Sequence, residues 1–129
     1  MATLRDCAAL LALNATLDAR DAFSRPRLLY LLRHATVLIA SCGQAEAGFC
    51  IVTRRGCVHA IAVAAPFRRR GLAKAMLGSI KRRFGKLRCE IRASNVASEM
   101  LFKQAGFTVV AMKPDIYADG EAALELRIL

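Results

Sequence analysis

The segment Ala65-Pro-Phe-Arg-Arg-Arg-Gly-Leu-Ala-Lys74 combines residue types suited to holding a phosphate. It follows an apolar run and opens an amphipathic one, so it reads as the end of a strand, a turn and the start of a helix. The first turn of a helix carries unpaired N–H groups and partial positive charge, which attract anions. Gly71 lets an oxygen approach the backbone where a Cβ would obstruct it, and the small Ala73 keeps the next turn open. Arg68, Arg69, Arg70 and Lys74 put mobile charge around the same point. A pyrophosphate fits this combination. A helix that simply begins with basic residues fits it equally, because short glycine motifs are weakly specific. A P-loop is excluded, since no Gly-Lys-Ser or Gly-Lys-Thr follows, and Gly-x-Gly-x-x-Gly is absent.

Glu90 is the other residue that could do chemistry, because a carboxylate facing a cleft can take a proton from an acceptor. Between Arg54 and Arg92 it is the only acid among twelve Lys or Arg. Arg88 and Arg92 share its strand face at spacing two, so on the strand alone it reads as their ion-pair partner. Nearby positive charge also weakens a carboxylate as a base. Cys57 and Cys89 could act as nucleophiles, but nothing in the sequence sets a base beside either, and they read as structural thiols.

The elements that must hold these residues follow from periodicity. Residues 6–17 are apolar on most faces and predict a helix, and Ser24 before Arg25 and Pro26 caps another, with leucines 28, 29, 31 and 32 at helical spacing. Strands are expected over residues 36–40, 48–53 and 58–64 as an antiparallel meander, broken at Gly43 and at Arg54-Arg55-Gly56. Pro66 ends that run. Residues 71–83 then predict a helix with Leu72, Ala75, Met76 and Ile80 on one stripe, residues 87–92 a strand, 95–105 a helix stopped by Gly106, and 107–112 a strand. Asp119-Gly120 is a hairpin signal linking that strand to a last one over 122–129. Strand–helix–strand–helix order flanked by antiparallel pairs gives an α/β mixed sheet.

At 129 residues, 56% hydrophobic, the chain suits one domain spanning residues 1–129 and leaves little room for disorder. A net charge of +10 calls for an anionic partner or surface, or a solvated basic face. Five cysteines without a Cys-x-x-Cys pair, with only His34 and His59 besides, give no zinc spacing and no closed disulfide framework. Free thiols suit a reducing cytoplasm. The apolar stretch from Cys7 to Leu17 is too short to cross a bilayer, so no metal and no membrane partner is expected.

With these residues in view, the chain resembles the GCN5-related N-acetyltransferases, the GNAT family. Arg68-x-x-Gly71-x-Ala73 is similar to that family's Arg/Gln-x-x-Gly-x-Gly/Ala signature. Glu90-Ile-Arg-Ala-Ser-Asn95 and Leu101-Phe-Lys-Gln-Ala-Gly-Phe107 resemble the second half of its bacterial ribosomal-protein-alanine acetyltransferases, the RimI type. Ile116-Tyr-Ala-Asp-Gly-Glu-Ala122 is similar to a Tyr-Tyr-x-Asp-Gly-Glu-Asp hairpin of protein N-terminal acetyltransferases. The likeness covers residues 61–122, while residues 1–50 match in outline only.

The resemblance implies a mostly antiparallel mixed sheet flanked by helices, with the first strand short or missing, and acetyl-coenzyme A as co-substrate. Ile61, Ala62 and Val63 would pair with the pantetheine arm and polarise the thioester carbonyl. Arg68, Arg69, Arg70, Gly71, Leu72, Ala73 and Lys74 would wrap the pyrophosphate, and Asn95 would hold the cofactor from the next helix. Glu90 becomes the expected general base, reversing the reading of the strand alone. Phe102 lies at the cofactor where the resembled enzymes carry a tyrosine that returns a proton to the departing thiolate, and phenylalanine cannot do this. Tyr117 would touch the acceptor, although Ile116 and Ala122 replace two residues of the family's hairpin.

The acceptor expected on this basis is a protein N-terminal amine, such as that of a ribosomal protein. Two alternatives stay open. One is a small-amine metabolite acceptor; the other is a non-catalytic basic module that binds coenzyme A or RNA, which twelve basic residues between 54 and 92 keep in play.

Overall fold

Ser24 turns its Oγ back to accept the Arg27 N–H at 3.3 Å, and Pro26, which has no N–H to satisfy, sits in the first turn that follows. Helix α1 (Arg25–His34) starts there. The computed structural model describes residues 24–128, so the helix expected over 6–17 and the short or missing first strand lie outside the described residues. Strands β1 (Ala35–Cys42), β2 (Ala45–Thr53) and β3 (Cys57–Val63) form the expected meander. They are followed by α2 (Leu72–Phe84), β4 (Leu87–Arg92), α3 (Val96–Gln104), β5 (Thr108–Lys113) and β6 (Ala123–Ile128).

The six described strands make one sheet in the order β1-β2-β3-β4-β6-β5, with β3–β4 as its parallel contact and the remaining pairs antiparallel. Helix α1 covers one face, packing Leu28 and Leu31 on Phe49 and Ile51. Helices α2 and α3 cover the other, where Met76, Leu77, Ile80 and Phe102 meet Cys50, Val52 and Leu126. A strand covered on both sides is apolar without alternation, which is why Ala47 to Val52 are all buried. Each large side chain fully withdrawn from water in this way contributes about 1.5–3 kcal/mol.

The parallel contact decides where a ligand can enter. β3 and β4 pair only at Cys57↔Arg88 and Val58↔Cys89. Between β2 and β3 the register slips, so that Ile51 faces Ala60 and Val52 faces Val58, leaving His59 as the extra residue. A bulge of this kind bends its strand and increases its twist, here just where β3 leaves β4. The base of the divergence is pinned by Gly56, whose carbonyl accepts the Arg88 N–H at 2.9 Å. Gly56 has φ +80, and a Cβ there would lie 2.5 Å from the Lys86 carbonyl oxygen, so only glycine allows this approach.

The Asp119-Gly120 signal falls in the connection between β5 and β6, which pair antiparallel as expected, through a loop longer than two residues. β5 and β6 are joined by residues 114–122, within which the Tyr117 carbonyl accepts the Gly120 N–H at 2.8 Å. The turn signal is real, but its acids are used to fold the loop over the end of β4.

Candidate active site

Beyond Val58 no strand among the described residues pairs with β3 on its β4 side, so part of the backbone of residues 60–63 faces an open gap. That gap is a cavity of about 380 Å³ whose walls include Ile61, Ala62, Glu90, Asn95, Phe102 and Tyr117. A second cavity, of about 590 Å³, shares Ile61, Ala62 and Ser98 with the first and extends over Val63 to the turn before α2. The two form a continuous cleft that runs from the splayed strands to the N-terminus of α2.

The turn is built for close approach. Arg69 and Gly71 both take left-handed backbone, φ 64 and 76, and a Cβ on Gly71 would have no neighbour within 4 Å. The Ala75 N–H bonds the Gly71 carbonyl at 3.0 Å, and the N–H groups of residues 72–74 have no acceptor within the helix. Arg68, Arg69, Gly71, Leu72, Ala73 and Lys74 line the second cavity. Arg68 also donates its Nε–H to the Val63 carbonyl at 2.9 Å, tying the turn to the end of β3. Arg70 is the exception among the expected anion ligands: it is absent from the lining, and its guanidinium lies 5.5 Å from the centre of the Phe67 ring.

A pyrophosphate-bearing thioester fits this arrangement, because the space at Gly71 is open and the cleft continues past Ile61, Ala62, Val63 and Leu101 along the splayed edge of β3. Asn95 lines the inner cavity while its Oδ1 accepts the Ser98 N–H at 3.1 Å, so the same residue caps α3. Phe102 is 3% exposed and meets Phe107 edge-on at 5.0 Å, so it is a core residue with one side on the cavity.

Glu90 is not paired with Arg88 or Arg92, the partners its spacing suggested. Its Oε1 accepts from Lys113 Nζ at 2.6 Å, reaching across β6 to the edge strand β5. Opposite Glu90 on β6 stands Glu125, and the same Nζ lies 3.0 Å from Glu125 Oε1. Two like charges face to face across a strand pair repel, and Lys113 relieves this. Bonds from Lys113 and then Arg127 hold the Glu125 carboxyl below the usual range, and the Lys113 ammonium is raised chiefly by its bond to Glu90.

Arg92 is occupied elsewhere. It donates to Asp119 at 2.8 Å and to Glu121 at 3.1 Å, and its guanidinium lies 4.2 Å from the centre of the Tyr117 ring. The second Glu121 oxygen accepts the Ser94 N–H at 3.1 Å. Bonds from Ser94 and Arg92 hold Glu121 below its usual range. This clamp fixes the loop that carries Tyr117 at the mouth of the cleft. Its signal in the sequence is the Asp119-Gly-Glu121 motif, whereas Lys113 and Glu125 carry no local signal at all. Cys89 is buried and its thiol is pushed up to about 12, while burial also raises Cys57, so both stay protonated.

An acetyltransferase (GNAT) domain model matches residues 33–109. Among curated protein sequences none matches. Among solved structures, the ribosomal-protein-S18-alanine N-acetyltransferase from Escherichia coli superposes with a TM-score of 0.84 at 22% identity, covering 98% of this chain and 89% of that one. Ard1 from Thermoplasma volcanium gives 0.84 at 19% identity, with coverages of 95% and 91%. A Bacillus subtilis acetyltransferase in complex with CoA gives 0.77 at 17% identity, with coverages of 99% and 93%. These likenesses carry the fold, and the matched domain, which spans more than half of the chain, carries the family: the chain belongs to the GNAT family and is an N-acetyltransferase with acetyl-coenzyme A as its co-substrate.

Proposed function

We propose that this chain transfers acetyl directly to the α-amine at a protein N-terminus, with Glu90 as general base. The observation that carries the reading is the placement of Glu90 on the wall of the β3–β4 gap, with Oε1 held by Lys113 and Oε2 without a partner among the described residues. Acetyl-coenzyme A supplies an activated acyl thioester. Along Ile61, Ala62 and Val63 successive N–H groups alternate between β2 and the gap, and those turned to the gap offer backbone donors to its carbonyl, a kind of stabilisation that is commonly a large catalytic contribution. The N-terminus of α2, with Arg68, Arg69, Gly71 and Lys74, takes the pyrophosphate.

An N-terminal amine has a pKa of about 7.7–8.0 and is mostly an ammonium near neutrality. Glu90 Oε2 accepts its proton, and the freed lone pair attacks the carbonyl carbon. No covalent enzyme intermediate is needed, and the raised thiols of Cys57 and Cys89 suit neither for one. Phe102 has no proton to give, so the departing thiolate, with a parent pKa near 8.5, takes one from solvent. Tyr117, held by the Arg92 clamp, contacts the acceptor backbone. The ribosomal-protein-alanine N-acetyltransferases among the structural neighbours support a protein acceptor.

We place the protein in the cytoplasm, since Cys42, Cys50, Cys57 and Cys89 are all free thiols. No helix among the described residues is long and apolar enough to cross a membrane. The test is acetyl-coenzyme A turnover, followed by mass spectrometry, over a panel of peptides with free or blocked N-termini and of small amines. Acetylation of free-terminus peptides is the expected result; acetylation confined to small amines overturns the acceptor assignment.

A further inference from the structure

Beside the acceptor end of the cleft lies a third cavity, of about 400 Å³, lined by four arginines: Arg27 from α1, Arg54 and Arg55 from the β2–β3 turn, and Arg88 from β4. No acid contributes to its lining, and none of the four has an ion-pair partner among the described residues. Like charges gathered in one concavity repel each other and focus a field that draws in an anion. The guanidinium fork is also matched to a carboxylate, which it binds through two parallel N–H···O bonds.

The position of this cavity says what the anion belongs to. Arg88 and Glu90 are two residues apart on β4 and share the face opposite to buried Leu87, Cys89 and Ile91. They therefore stand about 7 Å apart along the strand. His59, the bulged residue of β3, lines both this cavity and the one that holds Glu90, so the two adjoin. Burial, with Arg27 and Arg88 nearby, lowers the His59 pKa, which keeps the imidazole neutral and leaves the arginines to carry the charge. An extended chain advances about 3.3 Å per residue, so a peptide with its amine at Glu90 brings the side chain of its second or third residue to the arginines.

We infer that this cavity is a specificity subsite that selects acceptor N-termini bearing an aspartate or glutamate at the second or third position. The inference rests on the proposed α-amine acceptor and names its substrate class. A charge-assisted pair of this kind gives the acidic peptide a preference of about tenfold or more in kcat/KM over its glutamine or asparagine counterpart.

The experiment compares acidic and neutral peptides of otherwise identical sequence in the wild-type protein, in Arg54→Gln/Arg55→Gln and in Arg54→Lys/Arg55→Lys. The expected result is a strong preference in the wild type that collapses toward unity in the glutamine variant and is partly kept by the lysines. A ratio near unity in the wild type, or one unchanged in the glutamine variant, overturns the subsite. If no peptide is acetylated, anisotropy of a labelled acidic peptide still decides. Binding that the glutamine variant loses keeps the subsite and sinks the α-amine reading, whereas binding it retains sinks the subsite. A short polyuridylate that displaces the acidic peptide at equal concentration, through the same arginines, overturns the peptide assignment in favour of RNA.

Discussion

Replacing Gly71 with alanine and with glutamate separates the two reasons for a glycine at the head of α2. With φ 76, any side chain strains the backbone, at a cost of about 1–2 kcal/mol. For a domain of this size that lowers Tm by roughly 4–8 °C. Alanine adds nothing more, because its Cβ would have no neighbour within 4 Å. Glutamate adds a carboxylate at the positive end of the helix, which in the free protein returns about 0.3–1 kcal/mol. The same carboxylate sits in the cradle assigned to the pyrophosphate. A unit charge about 5 Å from a bound phosphate, at an effective dielectric constant near 20, is repelled by about 3 kcal/mol, which is more than a hundredfold in affinity. Stability and binding must therefore rank the variants in opposite orders. Gly71→Glu melts at or above Gly71→Ala in differential scanning calorimetry, yet binds coenzyme A far more weakly in isothermal titration. If the glutamate variant binds as well as the alanine variant, the anion is not held at this turn.

Two further outcomes follow from the same geometry. Phe102→Tyr keeps the edge contact with Phe107 and turns a hydroxyl toward the inner cavity, so turnover at saturating acetyl-coenzyme A rises modestly with little change in Tm; a variant that is less stable by about 1–3 kcal/mol and no faster means that position 102 only packs. Glu125 titrates below its ordinary 4.5 in the folded protein, so its share of stability is complete above that value and fades as pH falls through the lowered one. Glu125→Gln should therefore flatten the fall of Tm between about pH 5 and pH 2, and an unchanged acid slope would show that the Lys113 and Arg127 contacts are not carried into solution.

Local chemistry was read correctly from the residues. Ser24 and Pro26 mark the start of α1, Leu87 to Arg92 alternates between faces as β4 does, and the helix expected over residues 95–105 is α3. The start of α2 is legible for the same reason, since Gly71 and the apolar stripe it opens lie within a few residues of each other. What escaped depends on which strands become neighbours. Glu90 finds Lys113 only because β6 inserts between β4 and β5, an order that no local pattern encodes. Arg88 and Arg92 were the nearest charges along the chain, yet one joins the arginine cavity and the other is taken by Asp119 and Glu121. Asp119-Gly120 marks the β5–β6 connection, but nothing near it in the chain shows that its acid pairs with an arginine 27 residues away. Arg70 shares the basic run of its neighbours, and only the folded turn brings its guanidinium over the Phe67 ring.

The direct test of Glu90 as the base is the pH dependence of turnover in Glu90→Gln. Acetyl-coenzyme A affinity stays near the wild-type value, since the pyrophosphate cradle lies at the other end of the cleft. Turnover drops most below the acceptor's amine pKa, by about 10²- to 10⁴-fold, and recovers as pH rises and the amine deprotonates by itself. The deficit narrows steadily from about pH 6 to pH 9. A deficit of constant size across that range, or none at all, would contradict the assignment of proton transfer to Glu90.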